Sequence, residues 1–170
     1  MKIDKVVVGP LETNCYIITL NNKCLVIDPG DEYDKIKKVI GNKEVIGVII
    51  THYHFDHIGA LNYFDKSLVL DKSNLDEKEY NIDKFKFNVI YNPGHKEDAI
   101  TIYFKEEKIM FTGDFIFKDA IGRTDLDGGN YFDMLDSLEK IKKYDKDIVI
   151  YPGHGNISKL GIELSKKVEF

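Results

Sequence analysis

The residues with the clearest chemical potential in this chain are its histidines. Only five occur in 170 residues, at positions 52, 54, 57, 95 and 154. Three of them fall with one aspartate in the segment 51–57, Thr-His-Tyr-His-Phe-Asp-His, which has the pattern H-x-H-x-D-H. Imidazole nitrogens and carboxylate oxygens are the usual protein ligands of transition metals. Their clustering in one short segment therefore indicates a metal site.

A common local pattern precedes four of the candidate ligands: an apolar strand, then small or turn-forming residues, then His or Asp. The strands and ligands are 48–50 with His52, 89–91 with His95, 109–111 with Asp114, and 148–151 with His154. Sites in layered α/β folds collect beyond the carboxyl ends of strands. We therefore expect these four loops to converge on one place.

Spacing within the segment 51–57 suggests how its ligands divide between ions. Side chains two apart in an extended chain point the same way, so His52 and His54 can share one ion. Asp56 and His57 adjoin the start of a predicted helix, project elsewhere and suit a second ion. Thr51, Tyr53 and Phe55 are interpreted as packing residues.

Apolar periodicity predicts the elements that carry these loops. Strands are predicted at 3–8, 14–20, 23–28, 45–50, 87–91, 100–104, 109–112 and 148–151, and helices at 31–40, 58–64 and 131–144. Residues 71–86 mix acids and lysines without a clean period and are predicted as an exposed helix and loop, a candidate mobile cover. Two groups of strands with helices interspersed predict an α/β fold of two sheets with helices on their outer faces.

Length and composition limit the classes of function. A chain of this length fits one domain, residues 1–170. With 24 basic and 29 acidic residues the net charge is −5, which argues against a nucleic-acid partner. No apolar run approaches the roughly 18 residues of a membrane span, and no secretory signal is visible, so a cytoplasmic protein is expected. A hairpin turning at 21–22 would hold Cys15 and Cys24 apart, as free buried thiols.

Two other residues are candidates for supporting roles. Arg123 is the only arginine and lies in the loop beyond Asp114. Its guanidinium either clamps a substrate carboxylate or phosphate, or pairs with Asp125 or Asp127 and fastens the loop. Asp28 ends a buried strand and either orients a ligand histidine or forms a turn; we favour the first interpretation.

Together these segments resemble the metallo-β-lactamase superfamily over essentially the whole chain. The resemblance is carried by residues 11–16, 26–30, 51–57, 93–95, 113–114 and 152–154. It implies a four-layer αββα sandwich with two mixed sheets between outer helices. It also implies two metal ions with all seven ligand positions filled: His52, His54 and His95 on one ion, Asp56, His57 and His154 on the other, and Asp114 bridging both.

The segment 121–126, Ile-Gly-Arg-Thr-Asp-Leu, is similar to the glyoxalase II-like branch, the hydroxyacylglutathione hydrolases. This implies a dinuclear hydrolase in which a bridging hydroxide, oriented by Asp56, attacks a thioester or related ester of a small anionic substrate. Donors of His and Asp without Cys suit two Zn²⁺, and nearly as well Fe or Mn. The chain ends 16 residues after His154, so the C-terminal helical domain that binds glutathione in full-length glyoxalase II is not expected.

One rival function comes from another class. Persulfide dioxygenases share the His-rich loop and the segment around Arg123, but they use a single iron held by two His and one Asp. β-Lactam hydrolysis is disfavoured, because one major group of lactamases has Cys at the Asp114 position and another has no carboxylate there. Two zinc ions per chain would support hydrolysis, and one iron with oxygen uptake would support the dioxygenase.

Overall fold

The computed structural model describes residues 1–166. Within these residues the first sheet contains five strands. They are β1 (Lys2–Val8), β2 (Thr13–Leu20), β3 (Lys23–Ile27), β4 (Glu44–Ile49) and β5 (Val69–Leu70), in that spatial order. The first three strands are antiparallel, and β3, β4 and β5 are parallel. The β2–β3 hairpin pairs Thr19 with Cys24, and both cysteines are free and buried, as the hairpin register predicts.

The second sheet contains six strands within the same residues. They are β6 (Glu79–Ile82), β7 (Phe85–Tyr91), β8 (Ile100–Phe104), β9 (Ile109–Gly113), β12 (Val149–Pro152) and β13 (Ser158–Lys159). All neighbours are antiparallel except β9 and β12, which are parallel. Between β9 and β12 the chain forms the small hairpin β10 (Ile116–Phe117) and β11 (Ala120–Ile121). This hairpin was not predicted as a paired element.

Helices cover the outer faces of both sheets. Helix α1 (Tyr33–Ile40) packs Ile36 and Ile40 on the first sheet, and α3 (Tyr131–Ile141) packs Met134 and Leu138 on the second. Between the sheets lies a third cluster, with Tyr16 from the first sheet and Phe111 from the second. The predicted four-layer αββα sandwich is confirmed. None of the helices in residues 1–166 is long and apolar enough to cross a membrane.

The helix predicted at 58–64 is wrong in its position. Helix α2 spans Phe55–Ile58 and is followed by a 3₁₀ turn at Leu61–Tyr63. The intervening backbone packs against another loop: Ala60 N donates to Pro29 O at 2.9 Å, and a Cβ at Gly59 would lie 2.2 Å from Gly30 O. This tertiary contact stops the helix early, and Asp56 and His57 lie inside its single turn.

The exposed helix predicted at 71–86 is also wrong. The segment contains β6 and the start of β7, which form a hairpin at the sheet edge. Leu75 is buried in the core between the sheets, and Tyr80 and Ile82 pack against the same core. Glu79 and Asn81 alternate with these two side chains and lie on the exposed face. The strand therefore has the alternation of a half-buried strand, which the many polar residues around it obscure in the sequence. Helix α4 (Leu160–Ser165) was not predicted.

Candidate metal centre

The loops that leave the strand ends bring the seven predicted ligands together. His52 follows β4, and the chain then enters α2, which carries Asp56 and His57. The remaining loops follow strands of the second sheet: β7 leads to His95, β9 directly to Asp114, and β12 to His154. Both sheets therefore contribute to one site, as the pattern of strand followed by ligand predicts.

One group of ligands consists of three imidazoles. His52, His54 and His95 each offer a ring nitrogen, and these nitrogens lie within 4.8 Å of one another. The rings of His52 and His54 lie edge to face with centroids 4.8 Å apart, and the His54 and His95 centroids are 4.5 Å apart. His52 and His95 are buried and His54 is half-buried. This first triad can hold one ion in an electrically neutral donor set.

A second group combines two imidazoles with a carboxylate. Ligand atoms of Asp56, His57 and His154 lie within 4.8 Å of one another. Asp56 Oδ2 is 3.4 Å from His57 Nε2 and 3.2 Å from His154 Nε2. Thr13 Oγ1 donates to the same carboxylate oxygen at 2.8 Å. This second triad can hold another ion in a donor set that carries a negative charge.

Asp114 lies between the two triads. Its Oδ2 is 3.5 Å from His95 Nε2 and 3.3 Å from His154 Nε2, and its Oδ1 is 3.2 Å from His57 Nε2. His52 Nε2 is 3.9 Å from Oδ2. The carboxylate therefore faces histidines of both groups, which is the arrangement that a bridging ligand requires.

Four histidines are oriented by hydrogen bonds at the nitrogen that faces away from Asp114. His57 Nδ1 lies 2.8 Å from Asp28 Oδ2, His95 Nδ1 lies 2.7 Å from Arg123 O, and His154 Nδ1 lies 3.0 Å from Leu11 O. These oxygens only accept, so each Nδ1 donates to its partner and each Nε2 faces inward, where its lone pair can bind a cation that replaces any proton held there. His52 Nδ1 lies 3.1 Å from Thr51 Oγ1, which itself donates to Asp28 Oδ2.

The inward-facing atoms test whether the donor set fits a cation. Within residues 1–166, the buried Nε2 atoms of His52, His57 and His95 and the buried Asp114 Oδ1 have no hydrogen-bond partner. Unpartnered buried polar atoms are unfavourable and rare. Divalent cations would satisfy these converging nitrogens and the carboxylate oxygen, and would replace the proton that His57 holds without metal, so the residues fit a metal centre. A grouping of Asp28, His52 and His57 does not qualify, because both Asp28 oxygens already accept hydrogen bonds.

The electrostatics differ between the two triads. Burial lowers the pKa of His52 and His54, and neighbouring imidazoles lower it further. Burial also acts to lower the pKa of His57 and His154, but the surrounding carboxylates outweigh it and raise each to about 10. Burial raises the pKa of Asp114, yet the cationic imidazoles of His154 and His57 beside it hold that pKa well below the usual range. Asp114 is therefore a carboxylate at neutral pH.

The two candidates for supporting roles lie in different surroundings. Asp28 is buried and accepts from Thr51 N at 2.8 Å as well as from Thr51 Oγ1 and His57. The Arg123 side chain is exposed and forms a bidentate pair with Asp125 at 2.7 and 2.8 Å. That pairing is the loop-fastening alternative. The Arg123 residue also supports His95, through its carbonyl.

Sequence reasoning missed several supporting groups. The carbonyls of Leu11 and Arg123 orient two histidines, and no residue type can signal a role for the backbone. The hydroxyls of Thr13 and Thr51 donate to carboxylates, so the prediction that Thr51 is only a packing residue is wrong. Phe55 is 73% exposed and is not a packing residue. The sequence signal for the two threonines is a hydroxyl residue next to a candidate ligand or at the start or end of a strand.

Comparison with known families agrees with the fold. A family model described as the metallo-beta-lactamase superfamily matches residues 8–80 and 69–154, and the chain belongs to that superfamily. Among curated relatives, the probable metallo-hydrolase YqgX of Bacillus subtilis is 31% identical over 91% of this chain and 90% of its own length. Hydroxyacylglutathione hydrolase GloC of Haemophilus influenzae is 30% identical over 96% of this chain and 95% of its own.

Solved structures give the same family. The crystal structure of BLEG-1 B3 metallo-beta-lactamase superposes with a TM-score of 0.90 and 25% identity, covering 98% of each chain. The crystal structure of TTHA1623 in a di-iron-bound form superposes with a TM-score of 0.86 and 26% identity, covering 95% of this chain and 97% of that one.

Proposed function

We propose that this chain is a metal-dependent hydrolase with a dinuclear centre, and that it cleaves a thioester or related ester of a small acyl substrate. The observation that carries the proposal is the position of Asp114, whose two oxygens face histidines of both triads. A mononuclear enzyme needs only one of these donor groups. The similarity to hydroxyacylglutathione hydrolase GloC supports assignment to the glyoxalase II-like branch.

The two triads would each hold one ion, with Asp114 between them. Divalent ions bound there supply Lewis acidity, which makes water a nucleophile at neutral pH and polarises a substrate carbonyl. Zinc is the default for these His and Asp donors, and iron or manganese fits the same set. The structural neighbour TTHA1623 was solved in a di-iron-bound form, which supports iron as the alternative to zinc.

The residues of the chain would position the reacting groups. Asp56 Oδ2 is held by Thr13 and faces His154, which leaves Oδ1 free to accept a hydrogen bond from the attacking water. Asp114 stays ionised at neutral pH because His57 and His154 surround it. Four of the five histidines keep a fixed tautomer through their Nδ1 partners, so little reorganisation is needed when the substrate enters.

We propose a small anionic substrate rather than a nucleic acid or a membrane. The net charge of −5 disfavours a polyanion as the partner. Arg123 is the candidate ligand for a single carboxylate. Its pair with Asp125 is exposed, and such pairs contribute about 0–1 kcal/mol. A substrate carboxylate could therefore replace Asp125 at small cost.

The test combines metal analysis with a substrate panel. The purified chain would be analysed for bound metals and assayed with thioesters, lactones, a β-lactam, and persulfides with oxygen uptake. We expect about two ions per chain and thioester turnover that is lost with a chelator and restored by Zn²⁺. His95→Ala should lose this turnover, and Ser67→Ala, at a remote exposed turn, should keep it. One iron with oxygen uptake on persulfides, or turnover of the β-lactam alone, would contradict the proposal.

A further inference from the structure

Tyr53 lies between the ligands His52 and His54 and is held from two sides. Its backbone N–H donates to Asp98 Oδ2 at 3.0 Å. Its hydroxyl donates to Asp71 Oδ2 at 2.5 Å. Asp98 comes three residues after His95, and Asp71 directly follows β5. One residue therefore joins the loop of His52 and His54 to the loop of His95 and to the first sheet.

The Asp71 turn is itself firmly anchored. Asp71 is buried, and its Oδ1 accepts from the backbone N–H and the hydroxyl of Ser73. Its carbonyl accepts from Leu75 N at 2.8 Å, and the Leu75 side chain lies in the core between the sheets. Lys72 Nζ donates to Glu97 O at 2.6 Å, so the Asp71 turn is joined to the His95 loop directly as well as through Tyr53. The start of the segment 71–86, a candidate mobile cover by sequence, is thus packed on the core and hydrogen-bonded to both neighbouring loops.

His54 is the ligand that most needs such support. The other four histidines each have a hydrogen-bond partner at Nδ1. Within residues 1–166 the ring of His54 has none, and the residue is half-buried, so packing restrains it less than it restrains His52. Apart from its ring contacts with His52 and His95, its position depends on the backbone that carries it, and the preceding residue of that backbone is Tyr53.

We propose that Tyr53, Asp71 and Asp98 form a clamp that positions His52 and His54 against His95 and sets the metal affinity of the first triad. The inference rests on the proposed metal centre and adds positioning residues to it. The three residues act through the ligands, which they hold in place before an ion binds. Groups that hydrogen-bond a metal ligand directly change metal affinity by about 10- to 100-fold, and since the clamp acts through the backbone beside the ligands we expect the lower end of that range. The second triad, which is carried by α2 and the loop after β12, should not depend on the clamp.

The experiment measures metal affinity rather than activity. In a His154→Ala background only the first triad is complete, and its Zn²⁺ dissociation constant can be measured by competition with a chelator of known affinity. Tyr53→Phe removes only the bond to Asp71, and Asp98→Ala removes the acceptor of Tyr53 N. Each should weaken Zn²⁺ binding by about 10-fold. Asp98→Asn keeps an oxygen that can accept, so it should retain most of the affinity.

Tyr91→Phe is the matched control. It deletes a phenol hydroxyl that donates to Leu75 O at 2.7 Å in the same turn, without a contact to Tyr53. It should leave the Zn²⁺ affinity unchanged even if it lowers the midpoint of thermal unfolding. In a His95→Ala background, which keeps the second triad, Tyr53→Phe should have no effect on affinity.

The outcomes separate the clamp from the metal centre. If Tyr53→Phe and Asp98→Ala bind Zn²⁺ as tightly as their parent, the clamp is wrong while the centre stands. If neither the unmodified chain nor the parent binds Zn²⁺ or Fe²⁺, the centre itself is wrong and the clamp with it. Should Asp98→Ala fail to fold, Tyr53→Phe decides alone, since it removes a single oxygen atom from an exposed residue.

Discussion

His57 and Asp28 form a buried pair in which Nδ1 lies 2.8 Å from Oδ2, with the two side chains 0% and 2% exposed. Asp28 has a φ of 51°, a left-handed conformation that Asp and Asn tolerate better than most residues. It also accepts both the N–H and the hydroxyl of Thr51. One carboxylate therefore orients a histidine of each triad, His57 directly and His52 through Thr51.

Asp28→Asn tests this support while keeping the backbone conformation accessible. The amide replaces one accepting oxygen with a donor, so at least one hydrogen bond to the carboxylate is lost in a buried site. We expect the free energy of unfolding to fall by about 1.5–3 kcal/mol and Zn²⁺ affinity to fall by about 10- to 100-fold. Asp83→Asn is the control, since Asp83 also has a positive φ but is exposed at the β6–β7 turn. Equal metal affinity in the two variants would contradict the role of Asp28.

The metal-free protein should be most stable near pH 6.5. The pKa of His57 and His154 is raised to about 10 from an ordinary value of 6.5. Their stabilisation is complete below pH 6.5, where both folded and unfolded chains are protonated, and is lost as the pH rises through 10. The lowered pKa of His52 and His54 acts on the other side, so stability falls as the pH drops below 6.5.

Urea unfolding in the presence of a chelator, from about pH 5 to pH 9.5, measures this profile. We expect the free energy of unfolding to decline from pH 6.5 to 9.5. With Zn²⁺ bound the decline should disappear, because the ions replace the protons on His57 and His154. A metal-free stability that rises steadily over the alkaline range would show that these two histidines are not held in their protonated form.

Much of this fold could be predicted because its strands are buried on both faces. The strand predicted at 14–20 is observed at Thr13–Leu20, with Tyr16 and Ile18 in the core between the sheets and Ile17 under α1. Continuous apolar runs of this kind signal covered strands. A continuous apolar run does not identify the edge strand β6, because this strand is buried on one face only and its exposed residues are polar.

The convergence of the seven candidate ligands could also be predicted, because each follows a strand or lies in the single His-rich segment. The groups that aim those ligands could not. Leu11 and Arg123 act through their carbonyls, which every residue possesses. The role of Tyr53 depends on Asp71 and Asp98, which are 18 and 45 residues away in sequence. Only the tertiary fold reveals such partners.

Substitutions of Arg123 and Asp125 should have opposite effects on the binding of an anionic substrate. If the guanidinium binds the substrate carboxylate, Arg123→Ala should raise KM for an anionic thioester by about 10-fold with little change in kcat. Asp125→Asn frees the guanidinium and should lower that KM. A neutral thioester serves as the control, because its KM should respond to neither variant. Equal effects on charged and neutral substrates would mean that Arg123 only fastens its loop.

Gly153 and Gly155 offer a matched pair on either side of His154. A Cβ at Gly153 would lie 2.2 Å from Asp114 Oδ1 and 2.8 Å from His57 Cε1, so both ligands would have to move. A Cβ at Gly155 would meet no atom within 4 Å, but the residue has a φ of +75°. Alanine at position 155 should therefore cost about 1–2 kcal/mol of stability through backbone strain alone.

We expect Gly153→Ala to lose at least one of the two ions and to reduce kcat/KM by more than about 100-fold, because displaced ligands no longer share a centre. Gly155→Ala should keep both ions while unfolding at a lower temperature. Metal content after dialysis and thermal unfolding measure the two effects separately. A Gly153→Ala variant that retains two ions and full turnover would show that Asp114 can move without loss, which is incompatible with a bridging role.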